Sequence, residues 1–183
     1  MAEQREFEVI IIGGGIAGAS LAYFLQRRGV ADVLLLEREP QPGYHASGRS
    51  AATLVTWHRE PIIRRLIALG GEFLRRPPAD FAPTPLIDPF GVIAPAGGAA
   101  WPDVQRFGDE LAAEGIRTER LSREATLARH PALSSTHFDG AVLLPDDGAI
   151  DVHALLQGYL RALTHAGGVV RLGAEVRAVL TAA

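Results

Sequence analysis

The chain contains no cysteine, which excludes a disulfide framework, a thiolate metal site and a redox dithiol. It also lacks charge of one sign. Eighteen Lys and Arg stand against 21 Asp and Glu, for a net charge of −3, so there is no electrostatic ground for nucleic-acid binding. No apolar stretch reaches the roughly 18 residues that a membrane span needs. The amino-terminal residues MAEQREFE are polar and lead straight into the first apolar run, with no secretory signal visible. No H-E-x-x-H pair or close acid cluster argues for a metal, so the expected metal ligands are none. No G-x-S-x-G elbow offers a nucleophilic serine, and there is no internal repeat. Together these absences describe a soluble, cytoplasmic protein.

What is present is a chain of 183 residues, 48% hydrophobic and 21% charged, enough for one domain with a true core and too apolar for disorder. Its most informative segment is FEVIIIGGGIAGASLAYFLQRRGVADVLLLE, residues 7–37. An apolar run, Val9–Ile12, meets a glycine turn that opens a helical pattern, and a second run, Val33–Leu36, ends on Glu37. That is the full context of a dinucleotide-binding βαβ unit rather than a bare G-x-G-x-x-G. Gly13 permits the tight strand-to-helix turn, the missing side chain of Gly15 lets a pyrophosphate approach, and Gly18 lets the helix pack close to the strand. The helix N-terminus offers its N–H groups and positive dipole end to phosphates. Glu37 falls where a carboxylate can accept ribose hydroxyls. The chain is therefore expected to bind an ADP-containing cofactor on a Rossmann-like α/β fold with a parallel sheet.

The surrounding pattern agrees. Leu21, Phe24 and Leu25 lie at i, i+3, i+4, and Arg27, Arg28 and Gly29 close the helix. Further on, Pro61 starts a helix with Ile62/Leu66 and Ile63/Ile67 as i, i+4 pairs and Phe73 extending the apolar face, with a kink expected at Gly70 and Gly71. A proline-rich connection covers 77–89, and a short strand covers 92–94. Asp103 opens a helix to 113 with Val104, Phe107 and Leu111 inward. Ser122 caps a short helix that Pro131 ends, and Asp151 caps a stronger one with Leu155, Leu156, Tyr159, Leu160 and Leu163 as core. Strands are expected over 169–172 and 175–180. His130, His137, His153 and His165 read as surface or helix-face residues.

Residues 40–54, PQPGYHASGRSAATL, have neither helical nor strand periodicity. They read equally as a surface connection or, with Arg49 and the hydroxyls of Ser47, Ser50 and Thr53, as backbone lying against a flat phosphate-bearing ligand.

The segments GGGIAG, LLLERE and PGYHASGRSAA, with Pro77-Pro78 and LPDDGAIDVHALLQGYLRAL at 144–163, resemble the amino-terminal half of FAD-dependent D-amino-acid oxidases and dehydrogenases. D-arginine dehydrogenases are the nearest likeness, and glycine and sarcosine oxidases a more distant one. The resemblance implies FAD as cofactor and a small-molecule amine or amino acid as substrate, its C–N bond oxidised by hydride transfer to the flavin. It implies pyrophosphate contacts at Gly13, Gly15, Ala17 and Gly18, a ribose contact at Glu37 and an adenine-side contact at Arg38. Ala46, Ser47, Gly48, Arg49, Ser50, Ala51, Ala52 and Thr53 would run past the phosphates to the isoalloxazine edge, and Val176 would face the adenine. It also implies the organisation of the chain: the dinucleotide unit at 7–37, a flavin-contacting loop at 40–54, the start of a smaller substrate-facing layer at about 78–148, and a return to the FAD domain at about 149–183. Relatives of this family are about twice as long. The whole of 1–183 therefore resembles an amino-terminal portion, to be completed by a carboxy-terminal half or a partner chain, and inactive by itself.

The chain departs from D-arginine dehydrogenases at particular places. Thr53 replaces a histidine and His58 an active-site tyrosine; these two are the substrate-side candidates, His58 reading also as a polar loop residue facing water, and no catalytic residue is identified. No acid stands near Phe90 and Gly91, where a glutamate would grip a guanidinium; Asp88 is the nearest. Arginine is accordingly not the expected substrate. Two other classes stay open: an NAD(P)-binding oxidoreductase domain, which would have no use for residues 45–53, and a non-catalytic nucleotide-binding subunit completed by a partner.

Overall fold

The computed structural model describes residues 6–180. In chain order the elements are β1 (Val9–Ile12), α1 (Ile16–Arg27), β2 (Val33–Leu36), β3 (Thr53–Leu54), α2 (Pro61–Arg75), β4 (Ile87–Asp88) and β5 (Val92–Ala96). There follow α3 (Trp101–Ala113), β6 (Glu119–Ser122), α4 (Arg123–Arg129), β7 (Gly140–Leu144), β8 (Gly148–Ile150), α5 (Val152–His165) and β9 (Val169–Arg171). They fall into two compact units. The first runs through Ala52, includes Pro77–Leu86 and resumes at Asp151; the second is Thr53–Arg76 with Ile87–Ile150. The fold is mixed α/β with a parallel sheet, as expected from the sequence. No helix among the described residues is long and apolar enough to cross a membrane.

The first unit holds a parallel sheet in the order β1-β2-β9. Ile12 pairs with Leu36 and Leu36 with Arg171, so the carboxyl ends of all three strands point the same way. β2 is central, and its Val33, Leu34 and Leu35 are buried. α1 was expected to present Leu21, Phe24 and Leu25, but Leu21 and Phe24 are exposed and the buried residues are Ala19, Ala22 and Tyr23. Small alanines win this face because they let the helix come close to its neighbours. Tyr23 joins Phe81 and Tyr159 in an aromatic cluster with centroids 5.1 to 5.6 Å apart. On α5 a Cβ at Gly158 would stand 2.4 Å from the Phe81 ring, so glycine is what admits the ring. Burial pushes the Tyr159 phenol up to about 12. α5 is capped as its sequence indicates, with the Asp151 carboxylate accepting the Ala154 N–H at 2.8 Å and all five expected core residues buried.

The strand expected over 175–180 is not formed. That stretch has no ladder partner among the described residues, and Val179 and Leu180 are exposed; strand propensity without a neighbouring strand leaves only extended backbone.

The second unit contains two antiparallel sheets, β3-β8-β4 and β5-β7-β6. Every residue of β7 is buried. Phe107 and Leu111 of α3 cluster with Leu144, with Trp57 and Ile116 against them. α3 begins at Trp101, with Pro102 in its first turn, rather than at Asp103. α2 runs unbroken through Gly70 and Gly71, because Gly71 is buried with its missing side chain close to Leu54 and Arg75.

Candidate functional site

The carboxyl ends of the parallel strands and the N-terminus of α1 enclose a cavity of about 740 Å³ in the first unit. Its base is the glycine turn. Gly13 sits at φ +111°, a conformation open to glycine. At Gly18 a Cβ would lie 2.0 Å from the Gly13 carbonyl oxygen, so only glycine lets α1 fold back onto its own turn. Gly15 is different: at φ −77° and ψ −179° its backbone suits any residue. Its lack of a side chain serves space, since a Cβ would approach Ser47 Oγ to 3.0 Å.

Ser47 reaches α1 from 31 residues away, its Oγ accepting the Ile16 N–H at 2.9 Å. The loop that carries it is folded by a short 3-10 turn, Ser47–Arg49, closed by the Gly48 N–H donating to the Gly43 carbonyl at 2.7 Å. A Cβ at Gly48 would stand 2.6 Å from that same oxygen. The loop is thus shaped by its glycines and docked onto the helix N-terminus by its serine.

Glu37 projects from the end of β2. Its Oε2 accepts the Gly14 N–H at 2.7 Å and its Oε1 the Glu39 N–H at 2.9 Å, and the residue is buried. Two backbone donors fix the carboxylate while each oxygen keeps a further lone-pair site. Gly14 is part of this arrangement, because a Cβ there would come within 2.9 Å of the Glu37 Cβ. Beyond it Arg38, Glu39 and His45 form an exposed cluster. Glu39 Oε1 receives Arg38 Nε at 3.2 Å and lies 2.8 Å from His45 Nε2, which is also 3.0 Å from Arg38 Nη2. The His45 hydrogen bond, with Arg38 adding to it, holds the Glu39 carboxyl below the usual range.

Of the residues singled out in the sequence, Gly13, Gly15, Ala17, Gly18, Glu37, Arg38, Ala46, Ser47 and Val176 all line the cavity. Val176 does so without being in a strand; the chain after β9 is held there by the Ala174 N–H on the Glu37 carbonyl at 2.8 Å. Gly48, Arg49, Ser50, Ala51, Ala52 and Thr53 do not line it. The Arg49 guanidinium lies over the Tyr44 ring at 5.3 Å. Ser50 Oγ donates to the Ser47 carbonyl at 3.3 Å, and Ala52 has φ +50°. Gly14, Tyr44, Ala174 and Glu175 were not read as site residues. Gly14, the second residue beyond β1, meets Glu37, the first beyond β2, through its N–H.

Thr53 and His58 belong to the second unit. Thr53 is in β3, paired with Ala149. His58 is exposed, and its Nδ1 accepts the Glu60 N–H at 3.2 Å, which leaves Nε2–H as the donor of the neutral ring. Two buried polar residues hold this stretch. Asp147 accepts the Thr56 N–H at 2.7 Å and the Thr56 hydroxyl at 3.0 Å, and burial raises its carboxyl above the usual aspartate range. Arg64 donates from Nη1 to the carbonyls of His58 and Arg59 at 2.9 and 2.8 Å and pairs with Glu114. The nearest acid to Phe90, Asp88, is an exposed residue of β4. No group of acids and histidines suited to a metal occurs among the described residues.

Residues 8–182 match the family model described as FAD dependent oxidoreductase, DAO. The chain belongs to this family. It is 32% identical over 174 residues to a 4-methylaminobutanoate oxidase (formaldehyde-forming) of Paenarthrobacter nicotinovorans, a match covering 92% of the chain and 20% of that protein. The fold is shared with glycine oxidase from Bacillus cereus, at a TM-score of 0.78 and 22% identity over 97% of this chain and 50% of that one. It is shared too with L-proline dehydrogenase from P. horikoshii, at a TM-score of 0.84 and 18% identity over 96% and 46%. The chain thus spans a fifth of the curated relative and about half of each solved structure. The family's cofactor is FAD, and the cavity suits an ADP-bearing group: a floor that side chains would fill, a helix N-terminus, and a fixed carboxylate at a strand end.

Proposed function

We propose that this chain holds FAD in the cavity of its first unit and serves the oxidation of a C–N bond in a small amine or amino acid. The observation that carries the cofactor reading is the Glu37 carboxylate, oriented by the Gly14 and Glu39 amides beside the glycine turn. In this reading Gly13, Gly15, Ala17 and Gly18 give the pyrophosphate close access to backbone, Glu37 accepts the ribose hydroxyls, and Arg38 and Val176 face the adenine. Residues 46–53 lead from the phosphates towards the isoalloxazine, and Thr53 and His58 lie on the substrate side. The bound flavin supplies a hydride acceptor. Hydride and proton loss leave the substrate as an imine, which water hydrolyses to a carbonyl compound and an amine or ammonia. The substrate class is supported by the relatives, named for 4-methylaminobutanoate, glycine and L-proline. The remaining half of a family domain, in the same polypeptide or a partner, would complete the pocket.

The test is reconstitution of the protein with FAD, removal of free ligand by gel filtration, and a visible spectrum. Bound flavin bands that excess NAD does not displace are expected; colourless protein overturns the reading. Anaerobic mixing with D-amino acids, glycine, sarcosine and 4-methylaminobutanoate then tests the reaction: the chain by itself should bleach no faster than free FAD, and bleaching should outpace free FAD once the remaining half of the domain is supplied.

A further inference from the structure

α2 is turned against its own composition. Its inward face is Arg64, Gly71 and Leu74, all buried. Its outward face is Ile62, Leu66 and Leu69, which are 63%, 61% and 65% exposed, continued by half-buried Phe73. The rotation is locked, because the Arg64 guanidinium is tied to Glu114 and to two backbone carbonyls. The outward residues fall at i, i+4, i+7 and i+11, the spacing of a helix-pairing seam. One flank of the stripe carries exposed Arg65 and Glu72. The other carries Gly70, around whose Cβ position nothing lies within 4 Å, so a second backbone can come close.

We infer that this face pairs with α2 of a second copy of the chain, antiparallel about a two-fold axis near Ala68. Antiparallel pairing sets Leu66 against Leu69 of the other copy and Ile62 against Phe73. It also brings Arg65 of each copy to Glu72 of the other, so two opposite-charge contacts flank the seam. Parallel pairing would put the charged flanks of the two copies on opposite sides of the seam, each facing the other copy's Gly70 flank, and would form neither of these contacts. One helix pair buries less than the roughly 1,600 Å² of a standard interface, so the dimer is a weak one. The pairing is independent of the cofactor reading.

Sedimentation of the 183-residue chain over a concentration series tests it. The mass should rise from 19.5 kDa towards twice that value. Arg65→Glu and Glu72→Arg should each weaken association about ten-fold, and the double variant should restore it. Leu66→Glu with Leu69→Glu should leave a monomer of unchanged helix content by circular dichroism. A wild-type chain that stays monomeric overturns the inference and leaves another polypeptide as the occupant. Association unaffected by the leucine substitutions, or not restored in the double charge reversal, overturns it equally.

Discussion

Ser47 Oγ accepts the backbone N–H of Ile16 at 2.9 Å, joining the loop after β2 to the first turn of α1. α1 has no capping side chain of its own, since Gly15 stands at its N-cap. The hydroxyl therefore satisfies one of the helix's orphan donors while bringing residues 43–47 to the cavity wall. Helix stability and cavity shape are set by one contact.

Ser47→Ala should accordingly cost about 1 kcal/mol, the usual worth of a cap. For a chain of this size that lowers the thermal midpoint by about 2–4 °C. Ser47→Thr retains the acceptor and should lie nearer wild type. Thermal unfolding followed at 222 nm separates the three; an unchanged midpoint for the alanine variant would dismiss the cap.

The glycines of the turn should differ in kind. Gly18→Ala drives a methyl into the Gly13 carbonyl, 2.0 Å from the built Cβ, with rigid backbone on both sides. We expect a loss of more than about 3 kcal/mol, the range of severe overpacking. Gly15→Ala meets only the Ser47 hydroxyl, at 3.0 Å, and should lose about 1 kcal/mol or less while impairing FAD binding. Chemical denaturation of both variants checks the order. Equal stability losses would contradict the turn geometry.

The contrast shows what could be read in advance. The βαβ unit and the cap of α5 were legible because glycine spacing, a lone carboxylate at a strand end and an Asp before an apolar helix each report a local requirement. β7 was not, since a short apolar run looks alike in a strand and a buried helix segment. The inward face of α2 escaped for another reason. Hydrophobic periodicity assigns Ile62 and Leu66 to the core, yet the Arg64 network turns them outward, and its carboxylate partner, Glu114, lies 50 residues away. The run 175–180 had strand propensity but lacked a neighbour. Thr56 and Asp147, 91 residues apart, were likewise invisible to spacing.

Glu37 shows how a functional reading changes once the partners are known. A ribose contact alone predicts that Glu37→Ala weakens FAD binding by about 2–4 kcal/mol, from hydrogen bonds of about 1.5–3 kcal/mol each. Because the carboxylate also receives the buried Gly14 N–H, alanine leaves that donor unsatisfied, at a further cost of about 1–3 kcal/mol in stability. Glu37→Gln keeps a carbonyl acceptor and should spare stability more than affinity. Titration of FAD into apo-protein, paired with urea unfolding of the same samples, resolves the two effects. Wild-type affinity in the alanine variant would remove Glu37 from the site.

Asp147 gives the fold a pH dependence of definite sign. Its carboxyl is raised in the folded chain, chiefly by burial and against the opposing pull of the Thr56 hydrogen bonds. Between the ordinary aspartate range and that raised value the folded state binds more protons at this site than the unfolded chain. Its contribution to stability is therefore fully present at low pH and declines as pH rises through that window. Asp147→Asn keeps an acceptor for the Thr56 N–H and an amide that can donate to its hydroxyl, but does not titrate. It should flatten the stability-against-pH curve across the window without loosening the 53–58 segment. Asp147→Leu removes both partners of Thr56 and should cost about 1–3 kcal/mol at every pH. Urea unfolding from pH 4 to 8 would show both patterns, and a pH slope in Asp147→Asn identical to wild type would place the titration elsewhere.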